Sequence, residues 1–146
     1  MLLRDFLSGN VVTFSSRDWL KTHIQISEDD LSDVGIIVQG PMNFDRNFTL
    51  NALRSWRKQY PNIPIVLSTW DDKRLKKISR DLEILNIYLL INQSPSFIGR
   101  QNVNLQIETT KNGIKFLDGK VKFVLKIRSD QMLMRVGALN LLRKQI

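Results

Sequence analysis

From residue 34 onward, short unbroken apolar runs alternate with longer stretches in which apolar residues recur at helical spacing. Val34-Gly35-Ile36-Ile37-Val38-Gln39 is apolar without alternation, the pattern of a strand covered on both faces. Gly40-Pro41 stops it. Residues 48–60 set Leu50, Leu53, Trp56, Arg57 and Tyr60 at helical spacing, and Pro61 marks the exit. Residues 63–68 read as a second strand, with Pro64 tolerable near its start. Asp71-Asp72 then begins a helix whose polar face is Lys73, Arg74, Lys76, Lys77 and Arg80. Residues 87–91 form a third strand, and 92–99 a loop containing Pro95. A long helix over roughly 101–117 carries Val103, Ile107, Thr110, Ile114 and Leu117 on one face, the side expected to pack. Residues 121–127 are a fourth strand, and 136–146 begin another helix.

Strands that alternate with helices in this way build a parallel sheet with right-handed crossovers, an open α/β/α Rossmann-like layer structure. Residues 1–33 read as a lead-in. Ser15-Ser16-Arg17-Asp18 can cap a short helix through about His23, and residues 27–33 form an acidic, solvated connector. The domain proper is therefore expected over 34–146.

In open α/β sheets, ligands bind beyond the carboxyl ends of the strands, where strand order reverses. Four exits thus matter: Gln39-Gly40-Pro41, Ser68-Thr69-Trp70-Asp71-Asp72, Asn92-Gln93-Ser94 and Arg128-Ser129-Asp130. Asp130, fixed at a strand end, can offer a hard oxygen to Mn²⁺ or Mg²⁺ beside a diphosphate. Arg128 can neutralise phosphate or hold Asp130, and the plainer alternative is a surface Arg–Asp pair. Asp71 or Asp72 can accept from a ribose hydroxyl, or simply cap the next helix. Trp70 can stack on a base or belong to the core. Gly99-Arg100-Gln101-Asn102-Val103-Asn104 opens the long helix, where backbone N–H groups and Arg100 suit a phosphate. The basic face from Lys73 to Arg80 is a solvated face or a contact with an anionic membrane.

Composition narrows the chemistry. The 146 residues include no cysteine and one histidine, His23, which excludes disulfides, thiolate chemistry and His- or Cys-based metal clusters. The net charge is +8, unevenly spread. Residues 1–33 hold three basic and six acidic side chains, against nineteen and eight in the remainder. That field favours anionic partners. No G-x-G-x-x-G follows the first strand, and no P-loop or G-x-S-x-G elbow occurs, which weighs against NAD, FAD, P-loop nucleotide hydrolysis and serine hydrolysis. No nucleic-acid-binding signature is present. No stretch reaches the length of a membrane span, so a cytoplasmic location is the default expectation, at the inner face of the membrane where an anionic surface is in reach.

Three segments carry a family resemblance. Val34-Gly35-Ile36-Ile37-Val38-Gln39-Gly40-Pro41 with Phe48-Thr49-Leu50-Asn51-Ala52-Leu53-Arg54-Ser55-Trp56-Arg57 resembles the opening of the WavE-type lipopolysaccharide-synthesis family. Ile65-Val66-Leu67-Ser68-Thr69-Trp70-Asp71 and Val124-Leu125-Lys126-Ile127-Arg128-Ser129-Asp130-Gln131 are similar to later segments of it, in the same order. The resemblance implies a GT-A-like glycosyltransferase that takes a nucleotide-diphospho-sugar donor, with Mn²⁺ or Mg²⁺, and builds lipopolysaccharide or another cell-surface polysaccharide on a glycan or glycolipid acceptor. It implies that the first and fourth strands lie side by side. Gln39, Gly40, Pro41, Thr69, Asp71, Asp72, Arg100, Asn104 and Arg128 are then the residues expected around the donor, and Asp130 the metal ligand. The Arg-Ser-Asp segment stands where GT-A folds carry D-x-D, with Arg128 in place of the first acid. Family members are expected to continue into an acceptor-binding half. By that measure the chain is the nucleotide-binding half of a longer enzyme and inactive alone. The alternative is a non-catalytic nucleotide- or polyanion-binding α/β module.

Overall fold

The computed structural model describes residues 31–133 and 137–143. The helix expected near residues 15–23, with His23, and the first part of the acidic connector lie outside them. Leu31, in the last part of that connector, is buried in the core despite its acidic neighbours.

Four strands form one sheet: β1 (Val34–Gln39), β2 (Ile65–Trp70), β3 (Ile87–Asn92) and β4 (Phe123–Arg128). Their order is β3-β2-β1-β4, with every pairing parallel. Helices α1 (Phe48–Gln59), α2 (Leu75–Ile84) and α3 (Val103–Leu117) make the three crossovers, and α4 (Ala138–Arg143) follows β4. This is the Rossmann-like three-layer architecture, with β1 beside β4 as a GT-A order requires.

The strand pattern explains the layers. Ile36, Val38, Ile65 and Leu67 share one buried cluster with Leu50, Leu53 and Trp56 of α1 and Leu75, Ile78 and Leu82 of α2. The intervening Ile37 and Val66 point to the other side and meet Leu117 of α3. Alternate side chains of a strand face opposite ways, so a central strand covered on both faces must be apolar throughout. The chain moves from β1 to β2 to β3 in one direction, then crosses back over the sheet to β4. A right-handed crossover that reverses direction puts its helix on the opposite face, which is where α3 lies.

Helix α3 departs from its periodicity. Val103, Ile107 and Ile114 are exposed, at 46%, 55% and 50%, while Thr109, Gly113 and Leu117 are buried. Close approach decides this. A Cβ at Gly113 would lie 2.7 Å from Ile37 Cγ2, so only the glycine lets α3 settle onto β1. Helix α2 starts later than Asp71-Asp72, because Asp72 first closes a turn in which its carbonyl accepts from Leu75 N–H. The basic residues Lys76, Lys77 and Arg80 of α2 are exposed. Arg57 ties the lower loops together. Its guanidinium donates to the carbonyls of Leu85, Tyr60, Pro61, Ile63 and Asn86 at 2.7–3.1 Å. Among the described residues no helix is long and apolar enough to cross a membrane.

Candidate functional site

Strands β1 and β4 leave the sheet together, with Gln39 opposite Arg128 in the parallel register. This is the point where strand order reverses, so the two crossovers diverge and leave a crevice. The exits are cross-braced. Ser129 N–H donates to the Gln39 carbonyl at 2.9 Å, and Ser129 Oγ to the Pro41 carbonyl at 2.6 Å. Thr49 Oγ1 donates to the Ser129 carbonyl at 2.7 Å and accepts from Asn43 N–H at 2.9 Å. Gly40 has φ +108°, and a Cβ there would come within 3.2 Å of Ser129 Oγ, so the turn and its brace both need glycine.

A cleft of about 570 Å³ opens at this point. Residues 39–43 form one wall, and Arg128, Ser129 and Asp130 another. Trp70 closes it from β2, and Gln101, Asn102, Leu105 and Gln106 from the start of α3. That start is unusual. Gln101 and Asn102 both have positive φ, 54° and 59°, and the same paired conformation, at Arg46 and Asn47, precedes α1. Asparagine tolerates the left-handed region, whereas glutamine and arginine there are strained. The Asn104 amide donates to the Phe97 carbonyl at 2.9 Å and pins the loop against the helix.

Below the cleft floor runs a buried polar chain. Thr109 Oγ1 lies 2.9 Å from Gln39 Oε1 and so fixes the glutamine amide. Ser68 Oγ donates to the Thr109 carbonyl at 2.7 Å, and Asn92 Nδ2 to Ser68 Oγ at 3.0 Å. Asn112 Nδ2 donates to Asn92 Oδ1 at 2.8 Å. The ends of β1, β2 and β3 are thereby locked to α3, and the buried side chains of this chain of bonds satisfy one another.

Arg128 and Asp130 form a two-pronged ion pair on the cleft wall, Nε to Oδ1 at 2.9 Å and Nη2 to Oδ2 at 2.6 Å. Both side chains are about half exposed, at 51% and 45%. The hydrogen bonds from Arg128 hold the Asp130 carboxyl below the usual carboxylate range, against a smaller opposing push from burial. They raise the Arg128 pKa in turn.

Of the residues expected around a ligand, Gln39, Gly40, Pro41, Arg128 and Asp130 meet on this cleft. Asp71 lines an adjoining, more open hollow with Asn92, Gln93 and Ser94, and Trp70 and Leu105 border both. The others are elsewhere. Thr69 is buried and lends its carbonyl to Asn92. Asp72 turns toward Arg74, whose side chain and backbone N–H bond its carboxylate and depress its pKa to about 2; it closes the turn before α2, whose N-cap is Arg74, and so does not cap the helix. Arg100 and Asn104 lie outside both linings. Met42, Asn43, Leu105 and Gln106 border the cleft although their sequence context does not single them out. No spacing in the sequence points to them, because Gln101 and Asn102 break the helical period just before α3.

The donor set is poor for a divalent cation. Asp130 is the one carboxylate of the lining, and Arg128 occupies both its oxygens. Among the described residues no three His, Cys, Asp or Glu side chains come together as a metal group. The lining thus offers a resident Mn²⁺ or Mg²⁺ a single carboxylate, already shared with Arg128, a poor set for holding the ion by protein side chains alone.

Searches of curated proteins and of solved structures each return no match. The sequence model of one family, WavE lipopolysaccharide synthesis, matches residues 34–145, which include all four strands and both walls of the cleft. With most of its length so matched, the chain belongs to the WavE lipopolysaccharide synthesis family.

Proposed function

We propose that the cleft between the β1 and β4 exits binds a nucleoside-diphosphate sugar and that the chain is the donor-binding part of a lipopolysaccharide glycosyltransferase. The observation that carries this reading is the convergence of Gln39 and Arg128 at the strand-order reversal, in a cleft of about 570 Å³, well suited to a small organic ligand. Family membership supplies the biosynthetic setting. Arg128 is the cation of the lining and faces the diphosphate; Gly40 lets the ligand approach the backbone; Trp70 offers a ring to the base. Asp71, on the adjoining hollow, is in position for ribose hydroxyls. Gln101 and Gln106 bring amides suited to the hydroxyls of a sugar.

In the transfer, an acceptor hydroxyl of the growing glycan or glycolipid attacks the anomeric carbon, and the bond from that carbon to the diphosphate oxygen breaks. The hydroxyl proton passes to a general base as the new bond forms. The departing nucleoside diphosphate gains negative charge, and a fixed guanidinium beside it lowers the barrier by electrostatic stabilisation. A membrane-anchored acceptor would bring the chain to an anionic surface, which its positive charge favours.

Thermal unfolding with a panel of nucleoside diphosphates tests the reading. Ligand at 100 times Kd stabilises by about 2.7 kcal/mol. A preference for one base, lost in Arg128→Ala, is the expected result. Equal and steeply salt-dependent stabilisation by any polyanion would instead make the chain a binding module, the reading its net charge of +8 favours.

A further inference from the structure

We infer that Arg128 itself neutralises the ligand's diphosphate, without a divalent cation, and that Asp130 is the internal counter-ion that holds Arg128 until the diphosphate replaces it. This rests on the nucleotide-binding reading above and adds the means of charge recognition.

The geometry of the strand exit carries it. Ser129 turns inward, braced to Gln39 and Pro41, so its two neighbours project together on the other side. Arg128 and Asp130 are thus held side by side on the cleft wall, and they pair through two parallel hydrogen bonds. A carboxylate bound in that fork mimics a phosphate, which guanidinium groups grip in the same bidentate way. The pair is half exposed, and such pairs contribute little net stability, so the exchange of one anion for another costs little. A diphosphate brings more charge than the carboxylate it displaces. The rest of the lining offers amides, one hydroxyl and apolar groups, and no second acid with which Asp130 could share a cation.

The two modes of charge recognition predict opposite signs for one substitution. Were Asp130 a metal ligand, Asp130→Asn would weaken binding. As a competing anion, its removal frees Arg128 and tightens binding. Titration calorimetry of the 146-residue chain with UDP, ADP, GDP and CDP, in EDTA and in Mn²⁺, reads the difference. The expected result is binding indifferent to EDTA, tightened about two- to fivefold in Asp130→Asn and weakened about 10- to 100-fold in Arg128→Gln. Electron spin resonance with Mn²⁺ alone should show no bound ion. Binding that needs Mn²⁺ and disappears in Asp130→Asn overturns the inference and leaves the nucleotide-binding reading standing. Binding unmoved by either substitution overturns it as well. If none of the four diphosphates binds in either condition, both readings fall.

Discussion

Arg57 and Arg128 are both arginines at the end of regular elements, yet one holds the fold and the other faces the cleft. Arg57 spends its donors on five backbone carbonyls from two loops. Burial lowers its pKa, and no carboxylate pairs with it in that set of bonds. Arg57→Met should destabilise the chain by about 2 kcal/mol or more, since several carbonyls lose their partner at once; a shift of the urea midpoint checks this. Arg128 spends its donors on a single, displaceable carboxylate. Residue type alone does not make the difference legible. It follows from what surrounds each guanidinium, which for Arg57 is set by the α1–β2 and α2–β3 loops. Asp130 shows the same limit, because the ion pair with Arg128 and a place on the cleft lining occur together. Acid should reveal the paired carboxylates. Asp33, bonded to Arg143, Asp72 and Asp130 all ionise below the ordinary value of 3.8, Asp72 at about 2. Groups with depressed folded pKa values add stability that is complete above the unfolded value and lost as pH falls through the folded one. Stability against urea should therefore hold from neutrality to about pH 5 and decline between about pH 4 and pH 2. Asp72→Asn should flatten that decline; a chain that grows more stable on acidification contradicts it.

Elements are the most legible scale, because strand and helix periods differ and Gly40, Pro41 and Pro61 punctuate them. All four strands and the three crossover helices occur in the order the apolar pattern predicts, with β2 displaced by two residues and α2 starting after Asp71-Asp72; the larger departure is the face that α3 buries. Periodicity rewards Val103, Ile107 and Ile114, but contact is set by Gly113 against Ile37 and by polar pairing through Thr109. A pattern of apolar spacing registers neither the missing Cβ of a glycine nor a buried hydroxyl. The two faces can be told apart by substitution. Ile107→Lys, at an exposed position, should change stability by less than about 0.5 kcal/mol. Thr109→Val should cost about 1–2 kcal/mol, because it leaves the Gln39 amide without its buried partner. Urea midpoints of the two variants give the comparison, and a packed apolar stripe would produce the reverse order. The paired left-handed residues before α3 explain why Leu105 and Gln106 do not stand out in the sequence as cleft residues. Two consecutive positive φ values redirect the chain just before the helix, and no spacing rule anticipates the helix rotation that results.

At the scale of the whole molecule, function depends on topology more than on any one motif. Three segments far apart in sequence come together only because the chain reverses direction after β3, which brings β4 alongside β1 and sends α3 to the opposite face. The convergence of Gln39 and Arg128 is legible once the order of elements and the family resemblance are combined. The amides at the start of α3 need the folded chain. The most direct measurement is the footprint of a bound nucleoside diphosphate, by amide chemical-shift changes on the isotopically labelled chain. Binding in the cleft predicts shifts concentrated at Gly40, Asn43, Gln101, Gln106, Ser129 and Asp130, with the amides of α2 unmoved. Shifts centred on the lysines and arginines of α2, or spread evenly over the basic surface, would contradict it.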